Sequence, residues 1–335
     1  MKRLLLTTIA GLCLGIQAEA QTTFLRRSVV EELTGTRCGW CPRGLAGMEK
    51  LRQTFGDRFI GIAVHNYDTN DPMYYRPYAA NGVFSGSPGA PTCTIDRSDF
   101  CDPLHGATGD VCNDFQYMLD QPAWVGVTVS GTYNADSTVV EATTHLEAGR
   151  QLEGLTVVYV LVADSVASDI ADFRQNNNYA TRQPTDYPND PELHRFCAGG
   201  ELGVSSFRWA FDDVCIGSSY SSQGVNQAAP VESLTEGQQT DHSFRLTMPT
   251  KAVLRRALNK RHVSVVAMVL DADGHVMNAD KRLVGLQPDA QAIHLQQNND
   301  RQTATLYDLQ GRRVCQSDSR LPHGIYISQG RKLLR

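Results

Sequence analysis

Hydrophobic and polar positions follow two different periods along the chain, and the change falls near residue 121. Before that point, short β-branched runs alternate with segments whose apolar residues recur at helical spacing. The alternation predicts one small α/β domain over residues 21–121. Its predicted elements are strands at 28–34, 58–65 and 90–96, and helices at 38–55, 73–80 and 111–119.

After residue 121 the apolar positions alternate with a period of two, which is typical of strands with one buried face. Because turn residues separate several short strands, we expect an all-β, immunoglobulin-like sandwich over residues 122–286. A polar insert at residues 175–191 is expected to form a long surface loop. Residues 287–302 predict a linker, and residues 303–335 predict a small β appendage. The predicted sandwich strands are 124–130, 138–146, 155–163, 243–248, 263–270 and 275–278.

The N-terminus has the pattern of a targeting segment. Residues 1–20 combine the basic pair Lys2 and Arg3, an apolar core and a small-x-small site at residues 18–20, which is typical of a cleaved signal peptide. The apolar core is shorter than the ~20 residues of a membrane-spanning helix. We therefore expect an exported chain that is soluble or attached to a surface, in a compartment that permits disulfides.

Composition narrows the class of function. Hydrophobic residues make up 41% of the 335 residues and charged residues 20%, which is typical of a globular protein. The net charge of -5 argues against nucleic acid as a partner. The sequence contains no P-loop, no dinucleotide-binding glycine motif and no serine nucleophile elbow. We expect neither a cofactor nor a bound metal ion.

The strongest chemical feature is the pair Cys38 and Cys41 in the sequence CGWC, between a predicted strand and a predicted helix. Two cysteines at this spacing close a small disulfide ring with little rearrangement. The helix N-terminus and the charge of Arg37 favour a thiolate at Cys38, and Cys41 resolves a mixed disulfide. A zinc ribbon needs a second close pair of ligands, and none follows at that spacing. A purely structural disulfide is the alternative.

A proline-containing run adds to this interpretation. The segment GAPTCTID at residues 89–96 resembles the G-x-P-T-x-x-x-D strand of exported branches of the thioredoxin superfamily. The resemblance implies that Pro91 is cis and lies opposite the cysteines, and that Ala90 offers its backbone to an extended substrate peptide. An ordinary trans proline in a turn is the alternative, because only ~5–6% of X–Pro bonds are cis.

Glu32 lies six positions before Cys38 and matches the buried carboxylate of thioredoxins. The resemblance implies that burial raises its pKa and that it moves the proton of Cys41. Only one of two adjacent strand residues faces a given side of a sheet. An exposed Glu32, with Glu31 buried in its place, is therefore the alternative.

Two positions depart from the thioredoxin pattern. Arg37 replaces the tryptophan before the first cysteine, and Trp40 replaces the proline between the cysteines. We expect both residues, together with Ala90, to contact the substrate. Because these positions tune the thiol pKa, the direction of electron flow stays open.

A wider resemblance covers the first third of the chain. The stretch ELTGTRCGWCPRGLAGMEKL, followed by AVHNYD, DPM and GAPTCTIDR, resembles exported Bacteroidota proteins grouped as outer-membrane-protein-twenty-eight-related. The motifs at residues 307–314 and 321–326 are similar to the C-terminal sorting domains of the type IX secretion system. These resemblances imply a cell-surface, outer-membrane or secreted location. A periplasmic protein with a vestigial tail is the alternative.

The other cysteines are expected to be structural. Cys197 and Cys215 lie in the predicted sandwich, and we expect a disulfide between them. Cys101 and Cys112 are a second candidate pair. Cys93 is expected to be a buried packing residue, and a third thiol near the active site is the alternative.

These observations predict an exported thiol–disulfide oxidoreductase. Its partners would be the thiols or disulfides of other exported proteins. Cys38 attacks, Cys41 resolves, Glu32 moves the proton, and Pro91 with Ala90 holds the substrate strand. The alternative is a non-enzymatic surface or outer-membrane-associated binding protein, in which the CGWC pair is a structural disulfide.

Overall fold

The computed structural model describes residues 23–285 and the backbone of four short strands between residues 306 and 334. The predicted signal peptide and the linker at 287–302 lie outside the described residues. The chain divides into two compact units, Met1–Gly285 and Leu286–Arg335. Within the described part, no helix has the length and apolar character needed to cross a membrane.

The helices of the first unit are α1 Pro42–Phe55, α2 Arg76–Ala79, α3 Val111–Leu119 and α4 Ala252–Ala257. Its strands are β1 Ser28–Thr34, β2 Phe59–His65, β3 Thr92–Ile95, β4 Val125–Tyr133, β5 Val139–Ala148, β6 Thr156–Ala163, β7 Gln175–Asn176, β8 Ser206–Phe207, β9 Val214–Ser218, β10 Gln239–Thr247, β11 Val263–Leu270 and β12 Val276–Leu283.

Strand β1 is central to the N-terminal region, and all seven of its residues are buried. It pairs in parallel with β2 and in antiparallel fashion with β3. Leu33, near the end of β1, lies opposite Thr92, the first residue of β3. The antiparallel register therefore brings Pro91 to the same end of the sheet as the CGWC sequence, which follows β1. Helices α1 and α3 cover one face through a shared apolar core that includes Met48 and Phe115.

The sheet continues past the predicted boundary at residues 121 and 122. Its seven strands have the order β12-β11-β6-β9-β2-β1-β3. Strand β9 pairs in parallel with β2, and the Ala63 N–H donates to the Asp213 carbonyl at 2.8 Å. Val64 from the N-terminal region and Val162 from the later region share one apolar core. The division expected at residue 121 thus falls inside a single sheet and a single compact unit.

A second sheet packs on part of the first one. It has the order β10-β5-β4, and the residues of β4 alternate between inward and outward positions, as the period of two predicts. Inward side chains such as Val127 and Leu146 pack against Leu161 and Val265 of the seven-stranded sheet. The architecture is therefore a β-rich α/β fold. The layer against which β4, β5 and β10 pack is formed by strands of the seven-stranded sheet. That same sheet carries the CGWC region.

The second unit contains a four-stranded antiparallel sheet. Its order is β14-β13-β15-β16. Its strands are β13 Leu306–Tyr307, β14 Arg313–Val314, β15 Ile325–Ser328 and β16 Arg331–Leu334.

Candidate active site

The CGWC sequence forms a disulfide at the end of β1. Cys38 and Cys41 are bonded, with 5.3 Å between their Cα atoms. Helix α1 begins at Pro42, so Cys41 is the N-cap residue and both cysteines precede the first helical turn. Proline suits this first position because its missing N–H has no helical partner there. The sulfurs therefore lie at the end of α1 that favours negative charge.

The proline segment lies beside the disulfide. The Ala90–Pro91 peptide bond is cis. The Cys38 Sγ lies 3.6 Å from the Ala90 carbonyl oxygen. Among the described residues, the Ala90 N–H makes no hydrogen bond. Ala90 thus has a free backbone donor next to Cys38, which is what an extended peptide needs for pairing.

Glu32 is buried beneath the first turn of α1. A Cβ atom added to Gly44 would overlap its Oε1 and would contact Pro91, so the carboxyl lies close to both elements of the site. Burial raises the pKa of Glu32 to about 8. The charge of Asp213 adds to this rise, and the Thr34 hydroxyl opposes it. Within the described structure, Oε1 has no hydrogen-bond partner. This carboxyl can therefore bind or release a proton near neutral pH.

The neighbouring carboxylate, Glu31, is held by a buried ion pair and a hydrogen bond. It points to the other face of β1 and pairs with Arg97 at 2.9 Å, and it accepts a hydrogen bond from the Tyr78 hydroxyl. Both glutamates are buried, because β1 is covered on both faces. The alternative of an exposed Glu32 is therefore wrong.

A cavity of about 60 Å³ adjoins Glu32. Its lining includes His65 on β2, and Glu49 and Arg52 on α1. Glu49 and Arg52 are about one-third exposed. The volume accommodates a small number of water molecules, and the polar walls can hydrogen-bond them. The cavity thus extends from the buried carboxyl to the charged outer face of α1.

The insert at residues 175–191 contacts the active site directly. The backbone carbonyls from Thr36 to Gly39 each accept a hydrogen bond from residues 175–178. The Asn176 N–H donates to Thr36 at 2.7 Å, and the Asn178 N–H donates to Gly39 at 2.8 Å. The Gln175 side chain donates to the Cys38 carbonyl at 2.8 Å. The expectation of a plain surface loop is thus wrong for this end of the insert.

Both cysteines have little exposure to solvent. Cys38 is 2% exposed and Cys41 is fully buried. A Cβ atom at Gly39 would overlap the Asn178 side chain, so glycine lets the insert pack here without displacing that side chain.

Trp40 remains accessible at the rim of the site. It is 41% exposed, and its ring packs edge-on against Tyr179 with 5.2 Å between centroids. The Arg182 guanidinium lies over the same ring at 5.8 Å. These contacts hold an exposed aromatic surface in place at the rim of the site.

Arg37 lies close to two carboxylates. It pairs with Asp172 at 3.3 Å and with Asp68 at 3.7 Å. Its charge is therefore shared between these groups, and its effect on a Cys38 thiolate is smaller than the sequence predicts. A groove of about 690 Å³ opens beside Arg37 and Trp40 and is lined mainly by polar residues, several of them from the insert.

The disulfide expected between Cys197 and Cys215 is absent, and both residues are free thiols. Cys215 lies on β9 in the core that contains Val162, whereas Cys197 lies in a separate core with Phe196 and Phe207. Their positions in the same predicted sandwich suggested the pair, but the fold places them in different apolar cores. Cys93, Cys101 and Cys112 are also free.

One group of side chains in the described part has a spacing suited to a metal ion. Asp271, Asp273 and His275 bring their ligand atoms within 4.8 Å of one another. They lie on the exposed turn between β11 and β12, where Asp271 accepts hydrogen bonds from the backbone of the same turn. The three residues therefore belong to the hairpin turn that joins β11 and β12.

Comparisons with known proteins give a structural similarity only. No protein-family model and no curated protein matches the chain. Among solved structures, HBP35 of Porphyromonas gingivalis is similar, with a TM-score of 0.53 at 15% sequence identity over 93% of this chain and 98% of that chain. At this identity the similarity shows a shared fold.

Two further structures match more weakly. A protein from Agrobacterium tumefaciens has a TM-score of 0.38 and 14% identity, over 79% of this chain and 96% of that chain. A domain of the outer membrane lipoprotein Omp28 from Porphyromonas gingivalis has a TM-score of 0.25 and 10% identity, over 49% of this chain and 91% of that chain.

Proposed function

We propose that this chain is an exported, thioredoxin-like thiol–disulfide oxidoreductase that exchanges disulfides with extracytoplasmic proteins through Cys38 and Cys41. The observation that carries the proposal is the buried, unpaired Oε1 of Glu32, in a carboxyl whose pKa is about 8, beneath the helix that follows the disulfide. A structural crosslink has no need for a proton acceptor at this place. A buried polar atom without a partner lowers stability, so a role in proton transfer accounts for its presence.

The residues of the site divide the reaction into two steps. In the reductive direction, the Cys38 thiolate attacks a substrate disulfide, and one substrate sulfur leaves as a thiolate. Cys41 then transfers its proton to ionised Glu32 and attacks the Cys38 sulfur, which releases the second substrate sulfur. The proton leaves Glu32 through the adjoining cavity. The oxidative direction reverses these steps.

The substrate is expected to approach as an extended chain. Its backbone pairs with the free N–H of Ala90, next to the cis bond at Pro91. Side chains on either side of the reacting cysteine then lie against Trp40 and in the groove next to Arg37. The partners are exported proteins that carry cysteines in extended or flexible segments.

The proposal includes an extracytoplasmic location and a relationship to a family of exported proteins. The signal-peptide pattern and the resemblance to Bacteroidota outer-membrane-protein-twenty-eight-related proteins support export. The sorting-like motifs at residues 307–314 and 321–326 support passage across the outer membrane, with surface attachment or release. Fractionation of cells that express the full chain tests this, because a periplasmic location would remove the role of the tail.

Reduction of insulin disulfides by the mature protein tests the activity. We expect the wild-type chain to accelerate precipitation of the insulin B chain in the presence of dithiothreitol. Cys38→Ser is expected to abolish the acceleration. Cys112→Ser is the matched control, because Cys112 is a half-buried free thiol on α3. Equal rates for the wild type and Cys38→Ser would exclude the enzymatic proposal.

A structural disulfide is the second candidate function. The 2% exposure of Cys38 and the hydrogen bonds from the insert favour it, because both restrict access to the sulfur. The reduction potential of the Cys38–Cys41 couple separates the two. Structural disulfides typically lie below about -300 mV, and redox-active pairs lie roughly between -270 and -120 mV. A value in the lower range would identify the protein as a non-enzymatic surface or outer-membrane-associated binding protein.

A further inference from the structure

Cys93 and Cys101 form a second close pair of thiols in the first unit. Their sulfurs are 3.4 Å apart. The two residues face each other across an antiparallel bridge, and each backbone N–H donates to the carbonyl of the other, at 3.0 and 2.9 Å. Hydrogen-bonded antiparallel partners have Cα atoms about 5.5 Å apart, which is within the range that a disulfide spans.

The surrounding structure keeps the two sulfurs together. The turn between them contains Asp96, which pairs with buried Arg26 at 2.7 Å, and Arg97, which pairs with buried Glu31 at 2.9 Å. These ion pairs anchor two adjacent residues in the middle of the turn without any sulfur bond. Closing a disulfide therefore requires local side-chain movement and no refolding.

Cys93 and Cys101 differ in access. Cys93 is fully buried, whereas Cys101 is partly exposed. Their mutual hydrogen bond lowers the pKa of Cys101 and raises that of Cys93. Cys101 is thus the thiol that an external oxidant reaches, and Cys93 is the resolving thiol.

From this geometry we infer that Cys93 and Cys101 form a second disulfide, which makes the pair a two-electron redox site in addition to Cys38–Cys41. The oxidant is a small or protein disulfide. The Cys101 thiolate attacks it, which forms a mixed disulfide and releases one thiolate. Cys93 then attacks the Cys101 sulfur and releases the second thiolate, which takes the Cys93 proton. The protein loses two electrons, and the oxidant is reduced to two thiols.

The position of this pair relates it to the candidate active site. Cys93 lies two residues after Pro91 and directly opposite Glu32 in the register of β1 and β3. Cys101 precedes Asp102, which pairs with Arg43 of α1 at 2.6 Å. A disulfide here would therefore connect the strand that follows the cis bond to the segment that contacts the first turn of α1.

Peptide mapping tests the inference without reference to insulin reduction. The mature wild-type chain is equilibrated with excess glutathione disulfide, alkylated and digested with trypsin. Cleavage after Arg97 separates Cys93, in the peptide 59–97, from Cys101, in the peptide 98–150. We expect these two peptides to be joined by a disulfide in most molecules. Dithiothreitol should release them.

Two variants assign the bond. Peptide 98–150 also contains Cys112, so Cys112→Ser should keep the linked peptides and Cys101→Ser should lose them. Full alkylation of Cys93 and Cys101 in wild-type samples that contain oxidised Cys38–Cys41 would overturn the inference. Linked peptides that persist in Cys101→Ser would also overturn it. Neither result depends on whether the Cys38–Cys41 pair is catalytically active.

Discussion

Glu31 and Glu32 are adjacent in the sequence, yet they have different surroundings. The Glu31 carboxylate pairs with Arg97 and accepts a hydrogen bond from Tyr78, whereas Glu32 has an oxygen without a partner in the described structure. The spacing of Glu32 to Cys38 could be read from the sequence, because it depends only on the resemblance to thioredoxins. The ion pair of Glu31 could not, because Arg97 lies 66 residues away and reaches it only through the pairing of β1 with β3.

Replacing Glu32 tests its role in proton transfer. With a pKa of about 8, the ionised fraction of Glu32 rises with pH between roughly 7 and 9, so resolution by Cys41 should accelerate over that range. Glu32→Gln is expected to slow single-turnover insulin reduction roughly tenfold to a hundredfold. This loss is at or below the rate acceleration that a general base usually contributes. It should also remove the pH dependence near 8.

The exposed Glu141→Gln on β5 is the control for this experiment, because its side chain is remote from the sheet interior. Stopped-flow tryptophan fluorescence at several pH values provides the measurement. A Glu32→Gln variant with the rate and pH profile of the wild type would show that Glu32 does not move the proton.

The raised pKa of Glu32 also predicts how the stability of the protein depends on pH. Its pKa is about 8 in the folded chain and near 4.5 when exposed, so the folded state binds the proton more tightly. Between these values, the free energy of unfolding should fall as pH rises. Glu32→Gln removes this loss and is expected to stabilise the protein at pH 7 by on the order of 3 kcal/mol, with no gain at pH 4. Urea denaturation at both pH values measures it. An equal effect at pH 4 and pH 7 would contradict the raised pKa.

The insert is the element that local patterns describe least well. Its polar residues predict a loop, and most of β1, β2, α1 and α3 follow from hydrophobic spacing over a few residues. The hydrogen bonds from residues 175–178 to the CGWC loop join segments more than 130 residues apart. No periodic pattern encodes a pairing at that separation. Gln175, Asn176 and Asn178 were therefore missed as site residues.

Gln175→Ala tests the contribution of the insert. The buried Gln175 amide donates to the carbonyls of Gly35, Cys38 and Asn176. Its loss should destabilise the protein by about 1–3 kcal/mol and increase the rate at which dithiothreitol reduces the Cys38–Cys41 disulfide severalfold. Exposed Gln223→Ala is the control. An unchanged reduction rate would mean that the insert does not limit access to Cys38.

At the scale of the whole molecule, one sheet joins regions that the sequence pattern separates. The change of period at residue 121 corresponds to a change in the structure, because three of the four α-helices of the first unit lie before it and most of its strands lie after it. The seven-stranded sheet nevertheless continues across it, so we predict one folding unit rather than two. Strand β9 is five residues long and carries the connection to β2, and so short a run gives little signal in the sequence.

Truncation tests this continuity. A fragment of residues 21–121 exposes the edge of β2 and loses the ion pair between Arg52 and Asp213, so we expect no cooperative unfolding transition. A fragment of residues 21–285 keeps every described residue of the first unit and should unfold cooperatively. Circular dichroism during thermal denaturation measures both fragments. Cooperative unfolding of 21–121 would restore the two-domain interpretation.

The central claim is that Cys38 exchanges disulfides with another polypeptide. The most direct measurement is to trap the mixed disulfide. Reduced Cys41→Ser cannot resolve the intermediate, so it should form a covalent adduct with oxidised insulin. We predict that mass spectrometry will locate the adduct at Cys38. Dithiothreitol should reverse it, and the variant with serine at both positions 38 and 41 should form none. Absence of any adduct at Cys38, under conditions in which the reduced chain stays folded, would contradict the account.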